Sequence, residues 1–193
     1  MFDADRVKRL TRPKGLPFQI GKIGHVVINV RDVAKSAEFY TQILGFQISD
    51  VYPDEMVPGG MVFMRCNTDH HGIALVGSME GAADNVELNH IAFEVPSLDD
   101  VIRARDHLLR YQVQIDFAGR RRAGCQIAVE FRDPDNHRLE IYWGIDQIGS
   151  DGAVRPAAEW KGARSLEDAL ADPVRGQDTS LRDPSLLNRT NRV

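Results

Sequence analysis

Hydrophobic and polar positions along the chain fall into a pattern that occurs twice. The segment IGHVVINVRDVAKSAEFYTQILGF, starting at Ile23, and the segment LNHIAFEVPSLDDVIRARDHLLRY, starting at Leu88, each open on alternation, pass through a short turn and continue with a helical period. In the first, Asp32 is placed to cap a helix that carries Val33, Ala37, Tyr40 and Leu44 on one face and is closed by Gly45. In the second, Ser97 and Asp100 resemble a capping box ahead of a buried stripe of Val101, Ala104 and Leu108. β-rich stretches follow each helix and end in HHGIALVG and HRLEIYWG, the latter introduced by the DPDN turn of Asp133 to Asn136. Each half therefore reads β-α-β-β-β, and neither half can bury both faces of so small a sheet alone. The predicted fold is α+β, with two βαβββ modules forming a cupped, barrel-like mixed sheet around a shared cavity.

On this pattern residues 21–148 form one domain, with module one at 21–80 and module two at 86–148. Residues 1–20 read as a basic, Pro-containing arm. Residues 149–193 read as a polar, accessory extension with one short helix from Ser165 to Ala171, and the last dozen residues are expected to be poorly ordered.

Alternation decides which side chains can meet. Val26, Ile28 and Val30 share one face of the first strand, Ile91, Phe93 and Val95 one face of its repeat, and Leu139, Ile141 and Trp143 one face of the last strand. The opposite faces hold His25, His90 and Glu140, with Tyr142 beside the last of these. Two imidazoles at equivalent repeat positions and a carboxylate on a matching face suit a first-row divalent metal with open positions, Fe(II) or alternatively Mn(II). A dication less one carboxylate leaves a site charge of about +1. A monoanionic substrate chelating through two adjacent oxygens neutralises that charge and leaves a position for O2. His107 on the second helix and His137 in the turn read as surface residues, and Trp143 as core.

These segments resemble the vicinal-oxygen-chelate superfamily and, within it, the type I extradiol ring-cleavage dioxygenases, nearest to single-domain members of the biphenyl-diol type. GHVVINV is similar to the strand of the first ligand, NHIAFEV to that of the second, and FRDPDNHRLEIYWG to the carboxylate strand and its turn, so that the resemblance covers about residues 20–165. It implies a metal-dependent dioxygenase acting on a small aromatic vicinal diol and O2. MRCNTDHHGIAL is similar to the stretch that carries a catalytic histidine, which implies His71 as the acid–base residue; its neighbour His70 cannot face inward with it if the strand alternates.

Two departures stand out. The family pattern has a tyrosine that contacts substrate four residues before the Pro of the DP turn, where this chain has Glu130. It also has a second histidine in the preceding loop, which here reads GRRRAGC. Arg121 or Arg122 is available there as a cation paired with Glu130, and a set of solvated loop charges accounts for the same residues. If these charges face the metal, an acidic or otherwise functionalised diol becomes the expected substrate. Tyr142, Glu130 and Arg121 are thus the candidate substrate contacts. The competing readings are a glyoxalase-like lyase, isomerase or epimerase on the same triad, and a metal-free resistance protein that sequesters a small molecule. In the glyoxalase branch a fourth ligand commonly sits on the last strand of module one, where this chain has Ile73, Ala74 and Leu75.

Composition narrows the picture further. With 193 residues and a net charge of −4, the chain has no basic stripe for nucleic acid. No apolar run has the length of a signal peptide or membrane span. Cys66 and Cys125 lack metal-type spacing and read as reduced thiols, so a cytoplasmic homo-oligomer is expected.

Overall fold

The computed structural model describes residues 3–11, 22–77, 80–85, 88–148, 150–151 and 153–189. Two four-stranded sheets with the same topology carry the molecule. Module one runs β1 (Val26–Asn29), α2 (Val33–Glu38), β2 (Gln47–Tyr52), β3 (Met61–Arg65) and β4 (Ile73–Val76); α1 is a short exposed helix, Ala4–Lys8, in the N-terminal arm. The rest of that arm, residues 1–2 and 12–20, lies outside the described residues. Module two runs β5 (Ile91–Glu94), α3 (Leu98–Arg110), β6 (Ile115–Arg120), β7 (Ile127–Arg132) and β8 (Arg138–Trp143).

The repeat extends to register. The strand orders are β1-β4-β3-β2 and β5-β8-β7-β6, with β1 parallel to β4, β5 parallel to β8 and the remaining pairs antiparallel. Val26 faces Ile73 as Ile91 faces Leu139, and both outer strands shift register at a bulge, between Ile48 and Asp50 and between Ile115 and Phe117. Among the described residues the sheets are each hydrogen-bonded separately, as two halves rather than a closed barrel.

Both helices start where the capping residues predict. Asp32 accepts from the Lys35 amide at 3.0 Å, and Ser97 accepts from the Asp100 amide at 3.2 Å while its hydroxyl donates to the Asp100 carboxylate at 2.6 Å. The first helix is not α-helical to its end. Phe39–Ile43 form a π turn, with Leu44 N–H bonded to the Phe39 carbonyl, before Gly45 at φ 76° stops it. Within that turn Tyr40 is fully buried and its hydroxyl donates to Asp133 Oδ2 at 3.1 Å, a bond from module one to module two.

The DPDN turn is the staple between modules. Asp135 accepts from the Ser36 hydroxyl at 2.6 Å and from the Arg31 side chain at 2.8 Å. Asp133 accepts from the amides of Asp135 and His137 and from His137 Nδ1, the last at 2.9 Å. His137 is therefore buried in the staple, not on the surface, because its ring completes the Asp133 carboxylate. His107 is half-buried, its Nε2 at 3.1 Å from the Ile43 carbonyl at the end of the π turn, so neither histidine is the solvated residue expected. Burial opposes the imidazolium of His137, but the hydrogen bond and charge of Asp133, then the charge of Asp135 and the Asn29 backbone, outweigh it and raise its pKa. A raised histidine contributes stability that is complete below the unfolded value and lost as pH climbs through the folded one. The melting temperature is expected to fall as pH rises above 6.5, and the slope should flatten in His137→Gln; parallel slopes in both proteins refute the pairing.

The C-terminal extension is integral rather than accessory. Ala163 exchanges two backbone hydrogen bonds of 3.0 Å with Arg120, and α4 (Leu166–Ala171), capped by Ser165, packs beside β6. Leu166, Ala169, Val174 and Leu186 are buried, and Asp99 at the start of α3 accepts from the amides of Arg182 and Asp183. Within the last dozen residues Pro184–Arg189 form a short 3-10 helix, and residues 190–193 lie outside the described residues. Apolar residues spaced through a polar stretch escape a search for periodicity, which explains the misreading. Trp143 packs against the core as expected. Both cysteines are free, Cys66 exposed and Cys125 buried, and no described helix is long and apolar enough to cross a membrane.

Candidate functional site

The strand faces assigned from alternation are the observed ones. Ile28 and Val30 are buried while Val27 and Asn29 are exposed, and Glu140 lies beside Ala92 on β5 and opposite Glu130 on β7. The register makes Ala74 the counterpart of Glu140 in module one, since Ala74 pairs with Val27 as Glu140 pairs with Ala92. Ala74 offers no ligand atom, which counts against a four-ligand arrangement.

The structure brings His90 and Glu140 together. His90 Nε2 lies 3.3 Å from Glu140 Oε2, and Glu140 is only 2% exposed. His90 Nδ1 is 2.9 Å from Asn89 Oδ1; the tautomer that donates this bond turns the Nε2 lone pair toward the carboxylate, whereas the imidazolium donates Nε2–H to it. An imidazole nitrogen and a carboxylate oxygen at that separation are joined either by a proton, as a hydrogen bond, or by a cation bound to both. Ligands about 2.0–2.2 Å from one ion stand roughly 3 Å apart when they subtend a right angle, so the pair fits two adjacent positions of a divalent metal. Gln126 Nε2 donates to Glu140 Oε1 at 3.4 Å, while its own Oε1 is buried without a hydrogen-bond partner among the described residues. Burial raises the pKa of Glu140; Gln126 and His90 offset part of this, and the charge of Glu130 adds to it.

His25 stands in a different cluster. Its ring centroid is 4.6 Å from that of His71, which also packs on Phe63 at 5.0 Å, and His70 Nδ1 is 3.0 Å from His71 Nδ1. His70 and His71 precede β4, where alternation does not apply, so both rings reach Phe63. Desolvation, then the charges of His25 and His70, lower the pKa of His71. Among the described residues no three His, Cys, Asp or Glu side chains are grouped to hold a metal ion. Two of the three expected donors thus meet and the third does not. His25 belongs to one sheet, His90 and Glu140 to the other, and their meeting depends on how the modules are set rather than on strand register.

A cavity of about 540 Å³ opens over the His90–Glu140 pair. Arg121 and Glu130 both line it and form an ion pair, with Arg121 Nε 2.6 Å from Glu130 Oε1. These charges therefore face the candidate site. Tyr142 shares the strand face, half-buried and with its pKa raised by burial and by Glu94 and Glu140, but it is not among the cavity's lining residues. Asn89, Asp116, Phe117, Gln126, Arg132 and Arg138 also line the cavity and were missed by sequence reasoning. A signal existed for two of them: Asn89 precedes a candidate ligand, and Gln126 directly follows the loop that lacks the family histidine.

A family model for the Glyoxalase/Bleomycin resistance protein/Dioxygenase superfamily matches residues 22–141. The chain belongs to that superfamily. Among its curated relatives, the biphenyl-2,3-diol 1,2-dioxygenase of Paraburkholderia xenovorans (strain LB400) is 32% identical over 154 residues, 77% of this chain and 50% of the relative. A Rhodococcus jostii (strain RHA1) protein named iron-dependent extradiol dioxygenase is 28% identical over 146 residues, 69% of this chain and 47% of the relative. The chain thus spans about half the length of these relatives. The crystal structure of a glyoxylase/bleomycin resistance protein/dioxygenase domain from Frankia sp. EAN1pec superposes with a TM-score of 0.56 at 23% identity, covering 65% of this chain and 99% of that one, a likeness of fold.

Proposed function

We propose that this superfamily member is an extradiol-type dioxygenase that opens the ring of an aromatic vicinal diol with O2, using Fe(II), or alternatively Mn(II), held by His90, Glu140 and His25. The observation that carries this reading is the buried Glu140 carboxylate set 3.3 Å from His90 Nε2, two potential donor atoms at a separation that suits a shared cation. The names of the relatives support the reaction class, and the iron-dependent relative supports the metal. His25 is the third donor in this reading by its repeat equivalence to His90; completing the set needs the His25 strand to close on module two.

A divalent ion in this place supplies charge stabilisation and a template for two adjacent oxygens. The chain's own groups do the rest. Asn89 fixes the ring orientation of His90, and the Gln126 amide holds one oxygen of Glu140, so the donors are oriented before a substrate arrives. Arg121, held by Glu130 and lying 3.8 Å from the Phe117 ring centroid, presents positive charge and a flat surface to an aromatic anion. His71 is the proposed acid–base residue, accepting a diol proton at a ring nitrogen.

The test is anaerobic isolation with Fe(II), metal analysis and oxygen uptake on a panel of catechols. One equivalent of iron with oxygen consumption and a yellow ring-opened product is expected; bound metal without oxygen uptake moves the reading to a lyase or isomerase. In His71→Ala, bound iron should persist while kcat falls by about 10²–10⁴-fold, the usual worth of a general acid–base group, and an unchanged kcat removes His71 from the chemistry. His25→Ala separately checks the third donor: full iron content and activity in that variant exclude it.

A further inference from the structure

A second and larger cavity, about 890 Å³, lies between β6 and the segment that leads into α4. Its charge is unlike the rest of the protein. Five arginines line it, Arg105, Arg120, Arg121, Arg122 and Arg164, against the carboxylates of Asp116 and Glu167, although the chain as a whole carries −4.

The arginines are not equally engaged. Arg105 is bound to Asp106 at 2.7 Å and to Glu167 at 3.4 Å, and Arg121 to Glu130. Arg120, only 2% exposed, donates to the backbone carbonyls of Asp172, Lys161 and Ala169, and its Nε has no hydrogen-bond acceptor among the described residues. Its contacts are neutral oxygens, and the nearby Asp172 carboxylate is committed to Lys161 at 2.5 Å. A guanidinium charge thus sits beneath the cavity without a carboxylate in contact. Arg122 and Arg164, exposed at the rim, have no ion-pair partner among the described residues.

This cavity shares Asp116, Phe117 and Arg121 with the one over His90 and Glu140, so the two are adjoining parts of one cleft. We propose that the substrate of this site is an acidic aromatic diol, its hydroxyls directed to His90 and Glu140, its ring toward Phe117 and Arg121, and a carboxylate side chain bound by Arg122 and Arg164. The occupant is a small carboxylate rather than a polyanion, because Asp116 and Glu167 flank the arginines and the net charge of the protein repels extended anions. Planar, forked guanidinium groups match a carboxylate in two bonds, which a neutral diol cannot exploit.

This inference rests on the dioxygenase reading, and its test separates the two. The iron-loaded protein is assayed for oxygen uptake with dihydroxyphenylpropionate and with its methyl ester, which has the same shape and reactive diol but no charge. Direct binding of both to metal-free protein is measured by calorimetry. The acid is expected to have the higher kcat/KM, with a preference that weakens as salt is added. In the double variant R122Q/R164Q the acid-to-ester ratio of kcat/KM should fall about tenfold, the scale of one charge-assisted hydrogen bond. Equal use of acid and ester by the unaltered protein overturns the proposal and leaves the dioxygenase reading standing. No oxygen uptake with either compound or with any catechol of the panel sinks the dioxygenase reading. In that case calorimetry decides: tighter binding of the acid, lost in the double variant, upholds the arginine site, and equal binding overturns it.

Discussion

Replacing Glu140 by glutamine is expected to strip iron from the protein and abolish oxygen uptake while leaving the metal-free fold as stable as before or slightly more so. The two halves of this expectation have one cause. Glu140 is almost wholly buried on β8, where desolvation works against its charged form and Glu130, paired across the strands, repels it. A carboxylate whose folded-state pKa is raised destabilises the folded protein once pH passes above its unfolded value, so a neutral isostere relieves that cost at neutral pH. Retaining a carboxylate there makes physical sense when a cation compensates it, and Arg121 is already committed to Glu130. Loss of a residue that merely supports a ligand typically costs about 10–100-fold in metal affinity, and loss of the ligand itself should exceed that. Metal content by atomic absorption and melting curves with and without Fe(II) check both halves. A variant that keeps iron and turnover would falsify the site. A variant that melts well below the metal-free parent instead assigns Glu140 a structural role through Gln126 and His90.

How much of this was legible in the sequence depends on the range of the interaction. The two-fold repeat, the capping by Asp32 and Ser97 and the inward faces of β1, β5 and β8 are matters of local spacing, and the structure has them where periodicity put them. The meeting of His90 with Glu140 was legible for the same reason, since adjacent strands of one module fix it by register. The placement of His25 was not. It depends on the setting of one sheet against another, which side-chain alternation does not encode. His137 was misread because alternation with Arg138 says which way a side chain leaves the chain but not what lies there, and what lies there is the Asp133 carboxylate. The extension was misread for want of periodicity: Leu166, Val174 and Leu186 are isolated apolar residues that each find a place in the core. The charges of Glu130 and Arg121 were the residues for which sequence offered two accounts, and the structure turns them toward the cavity rather than away from it.

The largest loss of stability is expected from a residue remote from the chemistry. Asp133→Ala removes a carboxylate with no exposed side-chain surface that accepts from the amides of Asp135 and His137, from His137 Nδ1 and from the Tyr40 hydroxyl. Four donors are then left in a buried turn, and Tyr40 loses the bond that ties module one to module two. Breaking a buried charged pair by deleting one partner costs about 3–5 kcal/mol, a large part of the roughly 5–15 kcal/mol that holds a typical domain together. For a chain of this size that corresponds to a fall of roughly 6–20 °C in melting temperature. Asp133→Asn separates shape from charge. Its amide oxygen can still accept the two backbone N–H groups, but its amino group faces the Tyr40 hydroxyl and the His137 ring, so an intermediate loss is expected, together with disappearance of the His137-dependent pH slope. If the alanine and asparagine variants melt together, the charge contributes nothing and the staple is purely geometric. If neither variant melts below the parent, the DPDN turn does not join the modules, and the burial of His137 and Tyr40 alone must hold them.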